Sequence, residues 1–445
     1  MALLLYSIGS YAQDVTKDSI TLNQYGQMVE SEDLDAQARN AIITFESKDG
    51  NYKFWMDNRV LFDGAYFFDN DTYNEIGNGV VIRRARLAIK TKLHKNWYGE
   101  IDMDFAGSQL ELKDAYIKYT NDAGDLNVKA GHFRESFSME TTTTSRYVTF
   151  IERSLPSKFS PSRHLGFQAN YMKDKYLLSG GLHFNTIGDP EETEFSQAAN
   201  KDNSTDEGYS LTGRFVYRPI MDNEKVLHIG TAASYRTPKT DLEVPNSYRF
   251  STRSISNINR KKYLDTDDIL NVDSNTLFNV ELAGAHKNIF FQSEYFNNNI
   301  KRIEGLSGVN LNGLYAQVGY LLGDGKYRYN KNEGEFTQPG LGKKGEFEAA
   351  FRFDYIDLND EKAAIYGGAA NAYTLGLNYY ANTNIKFMLN YSYLDHDRYA
   401  NGKAKLFVGT DINGNLTKDP ADVVEAEGKA GEDYGQLQFR IEIDF

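Results

Sequence analysis

Residues 52–68 read YKFWMDNRVLFDGAYFF and predict a β-strand with two chemically different faces. The apolar and aromatic residues of one parity are Tyr52, Phe54, Met56, Val60, Phe62 and Tyr66. The charged residues of the other parity are Lys53, Asp57, Arg59 and Asp63. Because successive side chains of a strand point to opposite faces, one face of this strand is apolar and the other needs water.

The same alternation recurs along the chain. VVIRRARLAIKTKL, residues 80–93, sets Val81, Ala85, Leu87 and Ile89 against Arg84, Arg86, Lys90 and Lys92. NWYGEIDMDFA, residues 96–106, sets apolar side chains against Glu100, Asp102 and Asp104. Thirteen further candidate strands lie near 110–119, 126–133, 164–172, 175–185, 208–218, 226–236, 276–285, 288–298, 312–322, 346–357, 373–381, 384–394 and 433–445. Together these sixteen segments predict an all-β fold, a 16-stranded antiparallel transmembrane β-barrel, because an even number of strands closes with both chain ends on one side.

Composition narrows the class of protein. The chain of 445 residues has 31 Tyr, 27 Phe and 37 Gly, which suits alternating strands separated by turns. It has no Cys, which excludes a disulfide framework and a thiolate metal site. No apolar run approaches 18 residues, so the sequence predicts no transmembrane helix. It predicts no cofactor, no metal and no nucleic-acid partner.

The N-terminal region is predicted to lie outside the barrel. MALLLYSIGSYAQ has an apolar stretch followed by small residues, so residues 1–12 are interpreted as the remnant of a secretory signal peptide with cleavage near Ala12. A disordered tail is the alternative. Residues 13–50 are acidic and weakly patterned, which predicts a flexible periplasmic segment, and residues 51–445 are assigned to the barrel.

The connections alternate in length. Short turns at 120–125, 173–175 and 381–384 interleave with long polar segments at 186–207, 237–275, 323–345 and 395–432. Outer-membrane barrels show this asymmetry, with short turns on the periplasmic side and long loops outside. The final segment GQLQFRIEIDF, residues 435–445, alternates to a terminal Phe, as expected of a closing strand in such a protein. A soluble β-sandwich is the alternative fold.

Two segments are basic although the chain has a formal net charge of -13. The connection between the strands at 126–133 and 164–172 carries Arg146, Arg153, Lys158 and Arg163, and also apolar residues that a solvated loop does not need. Loops of this length tend to be functional or disordered, and folding against the inner wall would bury those apolar side chains and narrow the pore. The alternative is that its arginines pair with Glu100, Asp102 and Asp104. SYRFSTRSISNINRKK, residues 247–262, is a second basic segment, which favours a path for anions.

Several of these stretches resemble one known family. They are NRVLFDGAYF, IRRARLAIKTKLHKNWYGEIDMDFA, LKDAYIKY, VKAGHFRESFSMETTTTSRYVTFIERSL and the closing strand. They are similar to the phosphate-selective porin O and P family of Gram-negative outer membranes, most specifically between residues 52 and 170. The resemblance implies a trimeric 16-stranded barrel whose third loop folds inward, with arginines leading from the mouth to an anion site.

The resemblance also implies site residues. Its constriction arginines match Arg59, Arg84 and Arg153, its hydroxyl pair matches Thr144 and Ser145, and the acidic residue of the site falls close to Asp114. Arg146, next to this set, is a further candidate anion-binding residue of the constriction, and Arg249, Arg253 and Arg260 fall in the segment that matches the arginine ladder of the mouth. The chain departs from the family where Thr141–Thr144 replaces the segment in which phosphate-specific members carry a Lys.

The expected function is that of an outer-membrane porin for passive diffusion of small anions, phosphate or related oxyanions, as a homotrimer surrounded by outer-membrane lipid. A general small-solute porin without phosphate selectivity is the first alternative. An outer-membrane enzyme is a second alternative, although the seven His are scattered and no G-x-S-x-G, H-E-x-x-H or P-loop motif occurs. An adhesive barrel whose long loops bind a surface partner is a third.

Overall fold

The computed structural model describes residues 21–29, 33–39, 42–68, 75–108, 110–187, 198, 206–240, 243–303, 305–400, 409–417, 419–424 and 432–445. The predicted signal-peptide remnant at 1–12 lies outside these residues. None of the helices in the described ranges is long and apolar enough to cross a membrane.

Sixteen antiparallel strands form a closed barrel, which confirms the predicted fold class. In chain order, and numbered here as β1 to β16, they are Lys53–Phe68, Gly79–Leu93, Trp97–Asp104, Glu111–Thr120, Leu126–Arg134, Arg163–Met172, Tyr176–His183, Ser210–Met221, Lys225–Arg236, Val272–His286, Ile289–Arg302, Val309–Leu321, Glu346–Asp360, Ile365–Tyr380, Ile385–His396 and Tyr434–Asp444. Closure is made by β16, which pairs with β1 from Gly435 opposite Phe68 to Asp444 opposite Arg59.

The closing strand shows how alternation divides the two surfaces of the barrel. Its apolar residues Leu437, Phe439 and Ile443 are exposed on the outer surface, whereas Gln438, Arg440 and Glu442 are buried in the lumen. Arg440 donates two hydrogen bonds of 2.7 Å to the carboxylate of Asp63, its cross-strand neighbour on β1. The outer surface is therefore apolar and the lumen polar, as a barrel in lipid requires.

A bulge in β2 breaks the predicted alternation. Leu61 of β1 pairs with Arg84 and Phe62 with Ile82, so Arg83 has no partner across the strand pair. Val80 and Ile82, rather than the predicted Val81, are the exposed residues beyond the bulge, with exposed fractions of 63% and 44%. A bulge places two consecutive side chains on the same side of a strand. Arg83 and Arg84 therefore both reach the lumen.

The two ends of the barrel differ as predicted, with one exception. Segment 323–345 is predicted among the long loops, but residues 322–345 join β12 to β13 at the end where the connections are otherwise short. It contains a hairpin, named here the lower hairpin, in which Lys326–Asn330 pairs with Glu335–Gly340. Its turn includes Gly334 at φ 67°, a left-handed conformation that favours glycine.

The lower hairpin packs inside the barrel against β8 to β13. Arg214 of β8 forms two 2.8 Å hydrogen bonds with Glu281 and donates further bonds of 3.0 Å to the carbonyls of Glu333 and Gly334. The Tyr327 hydroxyl donates to Glu348 at 2.6 Å, and Phe336 packs with Phe290 and Met139. These contacts fix the hairpin to one side of the lumen.

The connection between β5 and β6, residues 135–162, folds into the lumen and is named here the constriction loop. Its apolar residues Phe150, Ile151, Leu155 and Phe159 are buried, as the sequence predicts. Leu155 and Phe159 belong to the main apolar cluster of the molecule, which lies inside the barrel beside β11 to β14. The loop and the lower hairpin together fill that half of the lumen.

A small hairpin precedes the barrel in the segment predicted to be flexible. Leu34–Arg39 pairs with Ile42–Ser47, and the second of these strands pairs with the start of β1 through Thr44, Phe45 and Glu46. This contact extends the sheet at the short-turn end.

Replacing Arg440 with Met should lower the free energy of unfolding by about 3–5 kcal/mol, because the buried Asp63 carboxylate at the closing seam would lose its partner. Urea unfolding of the protein in lipid vesicles measures this change. The double variant Asp63→Leu/Arg440→Met should recover most of the loss. Unfolding of Arg440→Met at the wild-type urea concentration would contradict the prediction.

Candidate functional site

A four-residue helix at the start of the constriction loop sets the position of the candidate site. This helix, α1, spans Met139–Thr142 and is capped by Ser138, whose side chain accepts a hydrogen bond from the backbone N–H of Thr141. Glu294 on β11 accepts the N–H groups of Met139 and Glu140 at 3.1 and 2.7 Å. Because Glu294 also accepts the Tyr315 hydroxyl at 2.6 Å, the first turn of the loop is fixed to the barrel wall.

Two chambers lie in the lumen on the side of β1 to β6. The upper chamber, toward the long loops, has a volume of about 700 Å³, and the lower chamber has a volume of about 260 Å³. Arg84, Arg134 and Ser145 line both chambers. These three residues therefore mark the junction through which a solute would pass.

The upper chamber is strongly basic. Its acidic lining residues are Glu111 and Glu152. Its nine basic lining residues are Arg83, Arg84, Lys113, Arg134, Arg153, Lys158, Arg253, Lys262 and Arg440. Burial opposes the ionisation of Glu152, but the attraction of Arg83 outweighs it and lowers the pKa of Glu152 to about 2. This carboxylate is ion-paired to Arg83 at 2.6 Å, so it neutralises one arginine and leaves a large positive excess.

The lower chamber is closer to balance, with eight basic and five acidic lining residues. Arg163 forms two hydrogen bonds with Asp114, at 3.0 and 2.7 Å, and Arg86 bonds to Asp102 at 3.1 Å. Arg146 pairs with Asp57. The alternative interpretation, in which carboxylates of the wall neutralise the arginines of the loop, therefore applies to Arg146. Its partner is Asp57 of β1 rather than one of the acids of β3.

Of the predicted constriction arginines, Arg59 and Arg84 lie close to the junction. Arg59 is buried, donates to the Ser145 hydroxyl at 2.5 Å and lies 3.4 Å from Asp444. The only acid that pairs with Arg84 in the described residues is Asp104, at 3.9 Å, beyond hydrogen-bonding distance. The guanidinium of Arg84 is consequently the more available of the two.

Arg153 is placed differently from these two. Its Nε donates to the carbonyl of Glu140 at 3.0 Å and its Nη2 donates to the carbonyl of Thr143. Arg153 lines the upper chamber while it ties the two halves of the constriction loop together. Of the predicted hydroxyl pair, Ser145 lies at the junction and Thr144 lines the lower chamber.

The three arginines predicted for the mouth do not share one chamber. Arg253 lines the upper chamber and donates to Asn257 at 3.1 Å. Arg249 lines a separate cavity beside His164 and Tyr248, and its Nε donates to Asp265 at 2.7 Å. Arg260 is exposed.

The sequence prediction missed Arg134, which ends β5 and lines both chambers. Its Nη1 donates to the carbonyl of Thr141. The available signal was position, because Arg134 in GHFRES directly precedes the constriction loop. A basic side chain at the point where the chain leaves the wall is well placed to reach the loop.

One acidic cluster has the spacing of a metal site. The carboxylate oxygens of Glu100, Asp102 and Asp114 lie within 4.8 Å of one another. Lys90 lies 3.7 Å from Glu100, while Arg86 and Arg163 bond to the other two acids. Because cations of the chain already neutralise the cluster, it gives no argument for a bound metal.

Comparison with known sequences identifies relatives. The model of a family described as phosphate-selective porin O and P matches residues 54–413. Porin O of Pseudomonas aeruginosa is 24% identical over 374 residues, which cover 76% of this chain and 81% of that protein. An uncharacterized protein of Caulobacter vibrioides is 26% identical over 326 residues, which cover 72% of this chain and 64% of that protein, a little under two thirds of its length.

Solved structures share the fold at low identity. OmpT of Vibrio cholerae in a trimer form gives a TM-score of 0.52 at 9% identity, covering 89% of this chain and 100% of that one. An anion-selective porin from Comamonas acidovorans gives a TM-score of 0.50 at 12% identity, covering 88% of this chain and 100% of that one. Both similarities concern the barrel architecture.

Replacing Glu294 with Ala should release the start of the constriction loop, because the N–H groups of Met139 and Glu140 lose their acceptor. Trypsin should then cleave the folded barrel after Arg146 or Arg153, where the wild-type protein resists. Mass spectrometry of the fragments locates the cuts. Asp273→Ala removes an exposed carboxylate that pairs with Lys301 outside the loop and serves as the control. Equal resistance of Glu294→Ala and wild type would show that other contacts hold the loop.

Proposed function

The chain belongs to the phosphate-selective porin O and P family and forms a channel in the Gram-negative outer membrane, and we propose that this channel selects small anions, phosphate among them. The observation that carries the proposal is the lining of the upper chamber, with nine basic residues and two acidic ones in a protein whose net charge is -13. A cleft lined by one sign of charge raises the local concentration of the opposite ion. Anions entering from the long-loop side are therefore concentrated before they reach the junction.

The junction supplies donors for an oxyanion. Arg84, Arg134 and Ser145 each line both chambers, and the Ser145 hydroxyl accepts a hydrogen bond from Arg59. Guanidinium groups form charge-assisted hydrogen bonds in a planar fork that matches carboxylate and phosphate oxygens. In this proposal Arg84 and Arg134 replace water around the anion, while Arg59 orients Ser145. Arg153 acts as a positioning residue because it bonds to the carbonyls of the loop.

A general small-solute porin remains the second candidate, favoured by one observation. Thr141 begins the run Thr141–Thr144, which replaces the segment in which phosphate-specific members of the family carry a Lys. The carbonyl of Thr141 accepts a hydrogen bond from Arg134. The guanidinium of Arg134, which already donates to this carbonyl, offers phosphate fewer hydrogen-bond donors than the same guanidinium would offer together with a neighbouring lysine. Weak discrimination between phosphate and other anions is the expected consequence.

The family and the barrel point to a channel rather than an enzyme. In the described residues Ser254 and His396 form a Ser–His hydrogen bond of 2.8 Å, the contact that a hydrolase would need. Ser254 is fully buried, and the other ring nitrogen of His396 lies 2.6 Å from the carbonyl oxygen of Glu432. This pair therefore has no carboxylate that orients the imidazole and no access for a lipid substrate.

A trimer is proposed by analogy with the trimer form of OmpT of Vibrio cholerae, whose barrel is similar.

Replacing Arg84 with Ala should weaken the block of Cl⁻ current by phosphate about tenfold or more, because the anion loses a charged hydrogen-bond donor worth roughly 1.5–3 kcal/mol. Planar-bilayer recordings at increasing phosphate concentration measure the half-blocking value. Arg249→Ala, which removes an arginine outside both chambers, should leave it unchanged. If phosphate blocks the wild-type current no better than sulfate or nitrate does, the general-porin candidate is the correct one.

Replacing Arg253 with Ala should lower the single-channel conductance in 0.1 M KCl and have little effect in 1 M KCl, because the Debye length falls from about 10 Å to about 3 Å between these concentrations. The test is the ratio of conductances at the two salt concentrations. Arg249→Ala is again the matched control, since Asp265 pairs with that arginine. An equal loss at both concentrations would indicate a direct contact with the permeating ion instead of attraction from a distance.

A further inference from the structure

The lower hairpin brings one carboxylate into the channel from the short-turn end. Glu333 lies in its turn and lines the lower chamber, and its side chain is 43% exposed. The other acids that line this chamber, Asp57, Glu100, Asp102 and Asp114, belong to the barrel wall. Glu333 is thus the acidic lining residue whose position depends on the hairpin.

The backbone around Glu333 is firmly held. Arg214 donates to the carbonyls of Glu333 and Gly334, and Glu281 fixes the guanidinium of Arg214 from the opposite side. Tyr329 bonds through its hydroxyl to Nδ1 of His228 at 2.6 Å. A carboxylate on this turn therefore keeps its place in the chamber without needing a hydrogen bond of its own.

Glu333 faces a lysine of the barrel wall. Oε2 of Glu333 lies 4.0 Å from Nζ of Lys129, which projects from β5 and also lies over the ring of Tyr116. Arg163 and Lys90 of the same chamber pair with carboxylates of the barrel wall, Asp114 and Asp57. Lys129 instead pairs with a carboxylate of the hairpin.

We propose that Glu333 is an exit carboxylate, a residue that sets how readily anions leave the channel toward the short-turn side by neutralising Lys129. The inference rests on the proposed anion selectivity. Conduction requires that a bound ion be released as well as attracted. An unpaired Lys129 below the junction would hold an anion that has passed Arg84 and Arg134, and the opposing carboxylate removes that attraction.

The test is a set of single-channel recordings on Glu333→Gln, Lys129→Gln and the double variant, with phosphate as the blocking ion. Glu333→Gln should lengthen each phosphate block about two- to fivefold, the size expected for one partly solvated charge, and Lys129→Gln should shorten it. The double variant should return close to the wild-type dwell time, because the two charges act on each other. A role of Glu333 in hairpin packing alone would not give this cancellation. Lys331 lies on the same turn as Glu333 and pairs with Asp174. Lys331→Gln should therefore leave the dwell time unchanged.

A second measurement separates this inference from the proposed function. The reversal potential in a KCl gradient can be measured without phosphate, and Glu333→Gln should shift it toward the equilibrium potential of Cl⁻. If phosphate does not block the wild-type channel, phosphate selectivity fails and the reversal potential alone decides the role of Glu333. An unchanged reversal potential, or an unchanged dwell time in a channel that phosphate does block, would overturn the inference.

Discussion

The pairing of β16 with β1 is the interaction on which the rest of this structure depends. Hydrocarbon offers no hydrogen-bond partner to a strand edge, so a sheet in a membrane has to close on itself. Closure turns one face of every strand toward lipid and the other toward the lumen, because side chains alternate along each strand. The Arg440–Asp63 pair lies on the inner side of this seam and extends the same logic, since two charges that closure buries have to satisfy each other.

A closed barrel of sixteen strands encloses more space than its wall side chains fill, and the constriction loop and the lower hairpin enter it from opposite ends. The constriction loop is fixed by Glu294 and the lower hairpin by Arg214 and Glu281, all from strands of the same half of the barrel. Their apolar residues pack against one another, with Met139 and Phe336 in one cluster. The channel is consequently displaced to the side of β1 to β6, where the basic residues of β2 and β5 become its lining.

The arginines of this lumen divide into two groups according to their partners. Arg163, Arg86 and Arg440 are bound by carboxylates and stabilise the wall, because an unpaired buried charge is costly. Arg84 and Arg134 face both chambers and have weak or partial partners, which leaves donors for a solute. Positive charge also decreases along the path, from a large excess above the junction to a smaller one below it. In the proposed function, a gradient of this kind attracts an anion at the entrance without trapping it at the exit.

The sequence by itself determined the sixteen strands, the apolar outer face and the inward position of the constriction loop, because a two-residue period and an apolar loop are local signals. It also placed Arg59 and Arg84 on the lumen side, and the family resemblance selected them as site residues. Only the tertiary structure decided which arginines are free, since the partners are remote in the chain, as with Asp63 and Arg440 or Arg83 and Glu152. The bulge at Arg83 depends on the register between β1 and β2. The side from which segment 322–345 enters depends on how many strands precede it in the barrel. No short stretch of sequence contains this information.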